Sequence, residues 1–251
     1  MNEVRFPLIK AALGPSWTVW FRCLVRGLGL PRWGNLRRAK PFSECWGFDR
    51  GSPVDRYYLH RFLERHSHAI RGTVLEVQDS IYTQRFGRDV VNAHTIDINP
   101  AHRPTFRCDL ARSDGVIPSD GYDCFLLPNT LCFLQDLEES LRHALRVVRP
   151  GGYLLASGST LVPFAPDARD GEDRWHLSAV GWQAVAKAAW PSCEPEIESH
   201  GNCIAAVAAM LGLAQEELSA EELDVNDPRY PVLVTIALRK PVPQDSTAQP
   251  R

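Results

Sequence analysis

The sequence predicts an α/β fold, a seven-stranded and mostly parallel sheet with helices on both faces. Three observations carry it. From residue 53 onward, short apolar runs alternate with helical segments, the rhythm of a sheet covered on both sides. The segment LEESLRHALRVV at 137–148 places Leu137, Leu141, Leu145 and Val148 on one helical face. The run VLVTIAL near 231–239 reads as a closing strand, placed antiparallel.

Each element follows in chain order. Residues 54–70 form a helix, with Tyr57, Tyr58, Phe62 and Leu63 at helical spacing and Gly72 as its stop. GTVLEV is β-branched and apolar enough for a buried strand. Further strands are read at 94–98, 104–110, 122–128 and 152–157. Pro150, Gly151 and Gly152 end the 137–148 helix and turn the chain into the last of these. Residues 163–175 are polar and rich in Pro, Asp and Gly, a loop long enough to suspect function. A helix at 178–189, a strand in EPEIESH, an apolar helix in NCIAAVAAMLGL and an acidic turn region precede the closing strand.

Residues 1–45 differ from the rest. Trp17, Trp20, Phe21, Leu24, Leu28 and Leu30 alternate with arginines, and Pro31 and Gly34 interrupt them. This segment is expected to be a helical arm or lid over the cleft. Residues 46–241 form the main domain, with acceptor-side insertions near 160–176 and 200–230, and 242–251 form a flexible tail.

Composition narrows the function. Hydrophobic residues make up 44% and charged residues 23%, the balance of an ordinary soluble domain. The net charge of -2 lacks the basic excess of a nucleic-acid scaffold. No apolar run approaches the 20 or so residues of a membrane span. The N-terminus does not read as a signal peptide, so the expected location is cytoplasmic. The seven cysteines are odd in number and widely spaced, with no CxxC pair. They read as buried thiols in a reducing compartment, with no metal site.

Ligands of open α/β sheets bind beyond the carboxyl ends of the strands. Glu76, Gln78 and Asp79 fall after the first strand. Asp97 and Ile98 end the second, Asp109 and Leu110 the third, and Asn129 follows the fourth. An acid ending the second strand can accept both hydroxyl protons of a ribose diol, which makes Asp97 the leading candidate. The plainer reading of Asp97 is a loop acid or helix cap. Asp109 is placed to accept from an adenine amino group, with Leu110 bordering the ring. Neither GxGxxG nor GxxxxGK[ST] is present; EVQDSIYTQRFG stands where a phosphate loop belongs. A nucleoside without phosphates fits better, which points to S-adenosylmethionine.

The runs VLEV at 74–77, TIDI at 95–98 and CDL at 108–110 bear on a family. So does YDCFLLPNTLCFLQDLEESLRHALRVVRPGGYLL, from Tyr122 to Leu155. Together they resemble the class I S-adenosylmethionine-dependent methyltransferases of the type-11-like group. WGFDRGSPVDRYY at 46–58 and DSIYTQRFG at 79–87 resemble a narrower bacterial subgroup of unknown substrate. The resemblance implies a Rossmann-like methyltransferase sheet and S-adenosylmethionine as cofactor, with S-adenosylhomocysteine as product. It departs at Gln78, where the family carries glycine. That side chain either crowds the cofactor's amino-acid tail or hydrogen-bonds it. A second departure is DRWHLSAVG at 173–181, where relatives have a WRFT-like run.

The expected cofactor set is therefore Glu76, Gln78, Asp79, Asp97, Ile98, Asp109, Leu110 and Asn129. Arg50 and Arg56 are added as forks for the cofactor carboxylate, against the plainer reading of ion pairs with Asp49 or Asp55. The acceptor is expected to be a small molecule or natural product, methylated on a hydroxyl, with His200 or His176 as the base. The alternative is a nonenzymatic cofactor-binding or adaptor protein that keeps the fold.

Overall fold

Strands β1 (Gly72–Val77) and β4 (Tyr122–Leu127) are the apolar centre of the sheet, parallel neighbours with both faces buried. The structure is a computed structural model that describes residues 23–27, 34–165 and 172–243. The other strands are β2 (Val90–Asp97), β3 (Phe106–Arg107), β5 (Val148–Ser159), β6 (Glu196–His200) and β7 (Leu233–Arg239). Their order is β3-β2-β1-β4-β5-β7-β6, with β7 antiparallel to both its neighbours and the remaining pairs parallel. The chain runs outward from β1 through β2 to β3, then returns to β4 beside β1. That reversal opens a crevice at the carboxyl ends of β1 and β4.

The helices are α1 (Val54–Arg65), α2 (Ile81–Phe86), α3 (Leu137–Val147), α4 (Ala179–Ala189), α5 (Cys203–Met210) and α6 (Ala220–Asp224). Successive strand residues point to opposite faces, and this divides the core in two. Leu75, Phe125 and Leu154 pack with Leu141, Ala144 and Trp182 of α3 and α4. Val74, Leu126 and Leu155 pack with Leu59, Leu63 and Ala205 of α1 and α5.

Several boundaries differ from the expected ones. The first helix stops at Arg65, and Gly72, with φ of 66°, opens β1 rather than closing the helix. The buried stripe of α3 is Leu137, Leu141, Ala144 and Val147, while Val148 already belongs to β5. Pro150, Gly151 and Gly152 therefore lie inside β5. They form the irregularity where pairing with β4 jumps from Tyr122–Val148 to Cys124–Tyr153. The third strand shrinks to Phe106–Arg107, at the sheet edge where only β2 pairs with it. Only Cys124 and Cys132 are buried; Cys45 and Cys203 are exposed and Cys23, Cys108 and Cys193 lie between, all seven as free thiols. His143, on α3, is half-buried and accepts from Arg146 Nε at 2.9 Å.

Residue contacts divide the chain into Met1–Lys40 and Pro41–Arg251. In the first unit, Gly34–Leu36 form a short turn and Leu24 is exposed. Trp17, Trp20, Phe21, Leu28 and Leu30, on which the lid reading depends, lie outside the described residues, as do 166–171 of the long loop. In the second unit, the Phe42 and Ser43 amides donate to Leu211 O, so 41–45 run with the main body. Among the described residues, no helix is long and apolar enough to cross a membrane.

Candidate active site

The carboxyl ends of β1, β2 and β4 bring most of the expected cofactor set to one rim, and each residue does a definite local job there. Glu76 is buried and accepts the backbone N–H groups of Tyr82 (3.0 Å) and Thr83 (2.8 Å). Burial pushes its carboxyl above the ordinary carboxylate range. Asp79 Oδ1 accepts the Ile81 amide at 3.0 Å. Glu76, near the end of β1, and Asp79, just after it, are thus both bonded to the start of α2. Gln78 holds φ of 72°, the left-handed conformation that favours glycine, and its amide donates to Ile96 O at 3.0 Å. The backbone keeps the glycine-like path although the residue is glutamine. Its side chain is exposed, with Nε2 3.5 Å from His102 Nε2.

Asp97 is buried at the end of β2. Oδ1 accepts the Asn99 amide at 2.7 Å and Oδ2 meets His102 Nδ1 at 2.7 Å. Ile98 beside it is exposed. Asp109 Oδ1 accepts the Ala111 amide at 3.0 Å, as a cap would, and Asp109 borders an open groove of about 800 Å3 with Arg112, Gln135 and Trp175. Leu110 is buried in the α3 side of the core, so its side chain is not available to border a ring.

Asn129, after β4, has φ of 48° and is held on both sides. Its amide donates to Ser157 Oγ at 2.8 Å, and Ser157 Oγ donates back to its Oδ1 at 3.1 Å. Its Nδ2 donates to Asp55 Oδ2 at 2.5 Å. Asp55, Arg56 and Asn129 line a cavity of about 180 Å3 together with Trp46, Phe48 and Phe133. Arg56 pairs with Asp55 and lies over the Phe48 ring, 5.7 Å from its centroid. Arg50 is elsewhere, in a two-point pair with Glu217. Both arginines have carboxylate partners in the chain, Arg56 with the expected Asp55 and Arg50 with Glu217 instead of Asp49.

The two histidines expected as the base are both bonded within the chain. His176 Nδ1 lies 2.7 Å from Thr160 O, and Nε2 lies 2.8 Å from Asp173 Oδ1. Both ring nitrogens of His176 are thus engaged by acceptors of the chain itself. His200 Nε2 bonds Thr235 Oγ1 at 2.8 Å and the ring stacks on Tyr58 at 6.1 Å. Burial holds its pKa below the ordinary value, but it does not line the cavity. Both rings are held by bonds within the chain, and neither lines the cavity beside Asn129. Sequence reasoning missed Asp55 as a site residue, having read it only as a partner for Arg56. The signal was in WGFDRGSPVDRYY, of which Trp46, Phe48 and residues 53–56 line this cavity.

Residues 80–156 match the methyltransferase domain family. No curated protein matches the chain. Among solved structures, it is similar to an S-adenosylmethionine-dependent methyltransferase from Mesorhizobium loti. Identity is 16% over 74% of this chain and 100% of that one, with a TM-score of 0.49. It is similar to a SAM-dependent methyltransferase from Archaeoglobus fulgidus, at 12% identity over 74% of this chain and 94% of that one, TM-score 0.49. It is also similar to the N-methyltransferase NodS from Bradyrhizobium japonicum WM9 in complex with S-adenosyl-l-homocysteine. There the identity is 13% over 82% and 95% of the two chains, TM-score 0.48.

Proposed function

We propose that this chain, which carries a class I, S-adenosylmethionine-dependent methyltransferase domain, methylates a hydroxyl of a small ring-bearing molecule. The observation that supports this most is the cavity beside Asn129. Asn129, which follows β4, lines it, and Trp46, Phe48 and Phe133 give it aromatic walls. A dry cavity of about 150 Å3 suffices for a benzene ring, so about 180 Å3 suits one ring of an acceptor. The rim also fits the cofactor. Each Asp97 oxygen has one partner in the chain and a second lone pair, which the two hydroxyls of a ribose diol could fill. The left-handed backbone at Gln78 keeps the main chain on the path that the family gives to glycine.

When bound, S-adenosylmethionine supplies a methyl group already activated by its sulfonium. The chain's share is then positioning: Asp97 on the ribose, Asn129 near the amino-acid tail, and the aromatic walls on the acceptor. The net charge of -2 supports a small acceptor over a nucleic acid. The odd set of cysteines, without CxxC, supports a cytoplasmic enzyme.

A second reading keeps binding without transfer. It draws on Gln78 and on the engagement of both Asp97 oxygens by Asn99 and His102. Calorimetry with S-adenosylhomocysteine, followed by transfer of a tritiated methyl group to a panel of single-ring phenols and catechols, separates the two. Binding with transfer is the expected result. Binding with no transfer favours the second reading, and no binding sinks both.

A further inference from the structure

The segment WGFDRGSPVDRYY is dense in polar and aromatic residues, and nearly all of them serve the fold. Trp46 Nε1 donates to Pro163 O at 3.0 Å. Asp49 accepts from Ser43, and Arg50 pairs with Glu217. The Ser52 amide donates to Glu216 Oε2 at 3.0 Å. Tyr57 donates to Asp224 Oδ1 at 2.6 Å and Tyr58 to Leu223 O at 3.2 Å. These bonds brace the start of α1 against the 214–224 region. Asp55 and Arg56 are the charged residues of the segment that the brace leaves facing the cavity.

Asp55 is buried, and its hydrogen bonds fall on one oxygen. Oδ2 receives Arg56 Nη1 and Asn129 Nδ2. Among the described residues, no donor reaches Oδ1. The Asp55 side chain keeps some exposure in the cavity, so Oδ1 is open there to the donor that a ligand hydroxyl would supply. Asp173, Cys132 and Asn129, which also line the cavity, are already committed. Asp173 uses Oδ1 on His176 and Oδ2 on the Ala165 amide at 3.0 Å. The Cys132 thiol, pushed up to about 12 by burial, stays protonated at neutral pH. Asn129 Oδ1 accepts from Ser157.

We propose that Asp55 binds the acceptor as its base: Oδ1 receives the hydroxyl of a single-ring phenolic acceptor and takes its proton during methylation. The acceptor oxygen bonds to the methyl carbon while the methyl–sulfur bond breaks, its electron pair staying on sulfur. The hydroxyl proton passes to Asp55, which later returns it to solvent. A methylated phenol oxygen still bearing its proton is strongly acidic, so an ordinary carboxylate is base enough at that point. Arg56 and Asn129 hold the carboxylate in place from its other oxygen. This proposal rests on the methyl-transfer reading above.

The test compares phenol with anisole, which has the ring and oxygen but no proton to donate, on protein loaded with S-adenosylhomocysteine. Binding is read by ligand-observed NMR. The parent is expected to bind phenol at least about tenfold tighter than anisole, the scale of a hydrogen bond to a charged group. In Asp55→Asn this preference should vanish, since the side-chain amide can keep its oxygen on Asn129 Nδ2 but need not present an acceptor to the ring. Asp55→Glu should restore part of it, which covers the case where the asparagine variant folds poorly. Equal binding of phenol and anisole by the loaded parent overturns the Asp55 assignment alone. A phenol preference that survives in a folded Asp55→Asn does the same. Failure of the parent to bind S-adenosylhomocysteine removes the methyl-transfer reading, and this proposal with it.

Discussion

The Asn129 side-chain amide donates to Asp55 Oδ2 at 2.5 Å, and this bond joins the end of β4 to the first turn of α1. The rim that would carry a cofactor and the cavity that would carry an acceptor meet at this pair.

Asp97→Ala should weaken S-adenosylhomocysteine binding by about 1.5–3 kcal/mol, the scale for losing charged hydrogen bonds, or roughly 10- to 100-fold in Kd. The carboxylate is buried at the end of β2. Calorimetry on folded parent and variant decides it. Equal affinity would sink the ribose assignment.

Gln78 separates backbone from side chain. A non-glycine residue in the left-handed region costs about 1–2 kcal/mol, and a β-branched one fits it worst. Gln78→Val should lower stability by about 1–2 kcal/mol. Gln78→Gly should leave it within about 1 kcal/mol, because relief of strain offsets the greater freedom of the unfolded chain. Urea denaturation checks both. A glycine variant less stable than the valine variant contradicts the geometry.

Glu76 is expected to act on stability first. Glu76→Ala leaves the Tyr82 and Thr83 amides without their acceptor at the start of α2, which should cost about 1–3 kcal/mol. Thermal and urea melts test this. An unchanged melt with lost cofactor affinity would return Glu76 to the direct-contact role that its sequence position suggested.

His60 sets a pH dependence. Burial, with Arg85 and Arg56 nearby, lowers its pKa from 6.5 to about 4. The unfolded chain then takes up the proton first as pH falls. The contribution is fully present above about 6.5, declines between about 6.5 and 4, and is flat below. Glu76, raised in the folded state, works the other way, losing stability as pH rises above the unfolded carboxylate value. His60→Phe keeps a ring against Tyr82 and Phe86 while removing the titration. The parent-minus-variant difference in urea stability should therefore shrink from pH 7 to pH 4. A difference that does not change with pH rules this out.

Much of the architecture was written locally. β1 and β4 are mostly apolar because both faces are covered, and α3 carries its apolar stripe at helical spacing; such patterns need no knowledge of neighbours. The acids at the ends of β1 and β2 fall on one rim for the same reason, since parallel strands end on one side. Position did not reveal occupation. Glu76 and Asp79 turned out to bond α2 amides, and Leu110 turned inward, because nearby backbone donors and core volume claim side chains that a strand end only delivers. Long-range partners are the sharper case. His176 and Asp173 are three residues apart, yet Thr160, sixteen residues back, supplies the second acceptor that commits the ring. Asp55 and Asn129 are separated by 74 positions. Only the return of the chain to β4 beside β1 brings them together, and a pairing made by sheet order leaves no trace in the spacing of either residue.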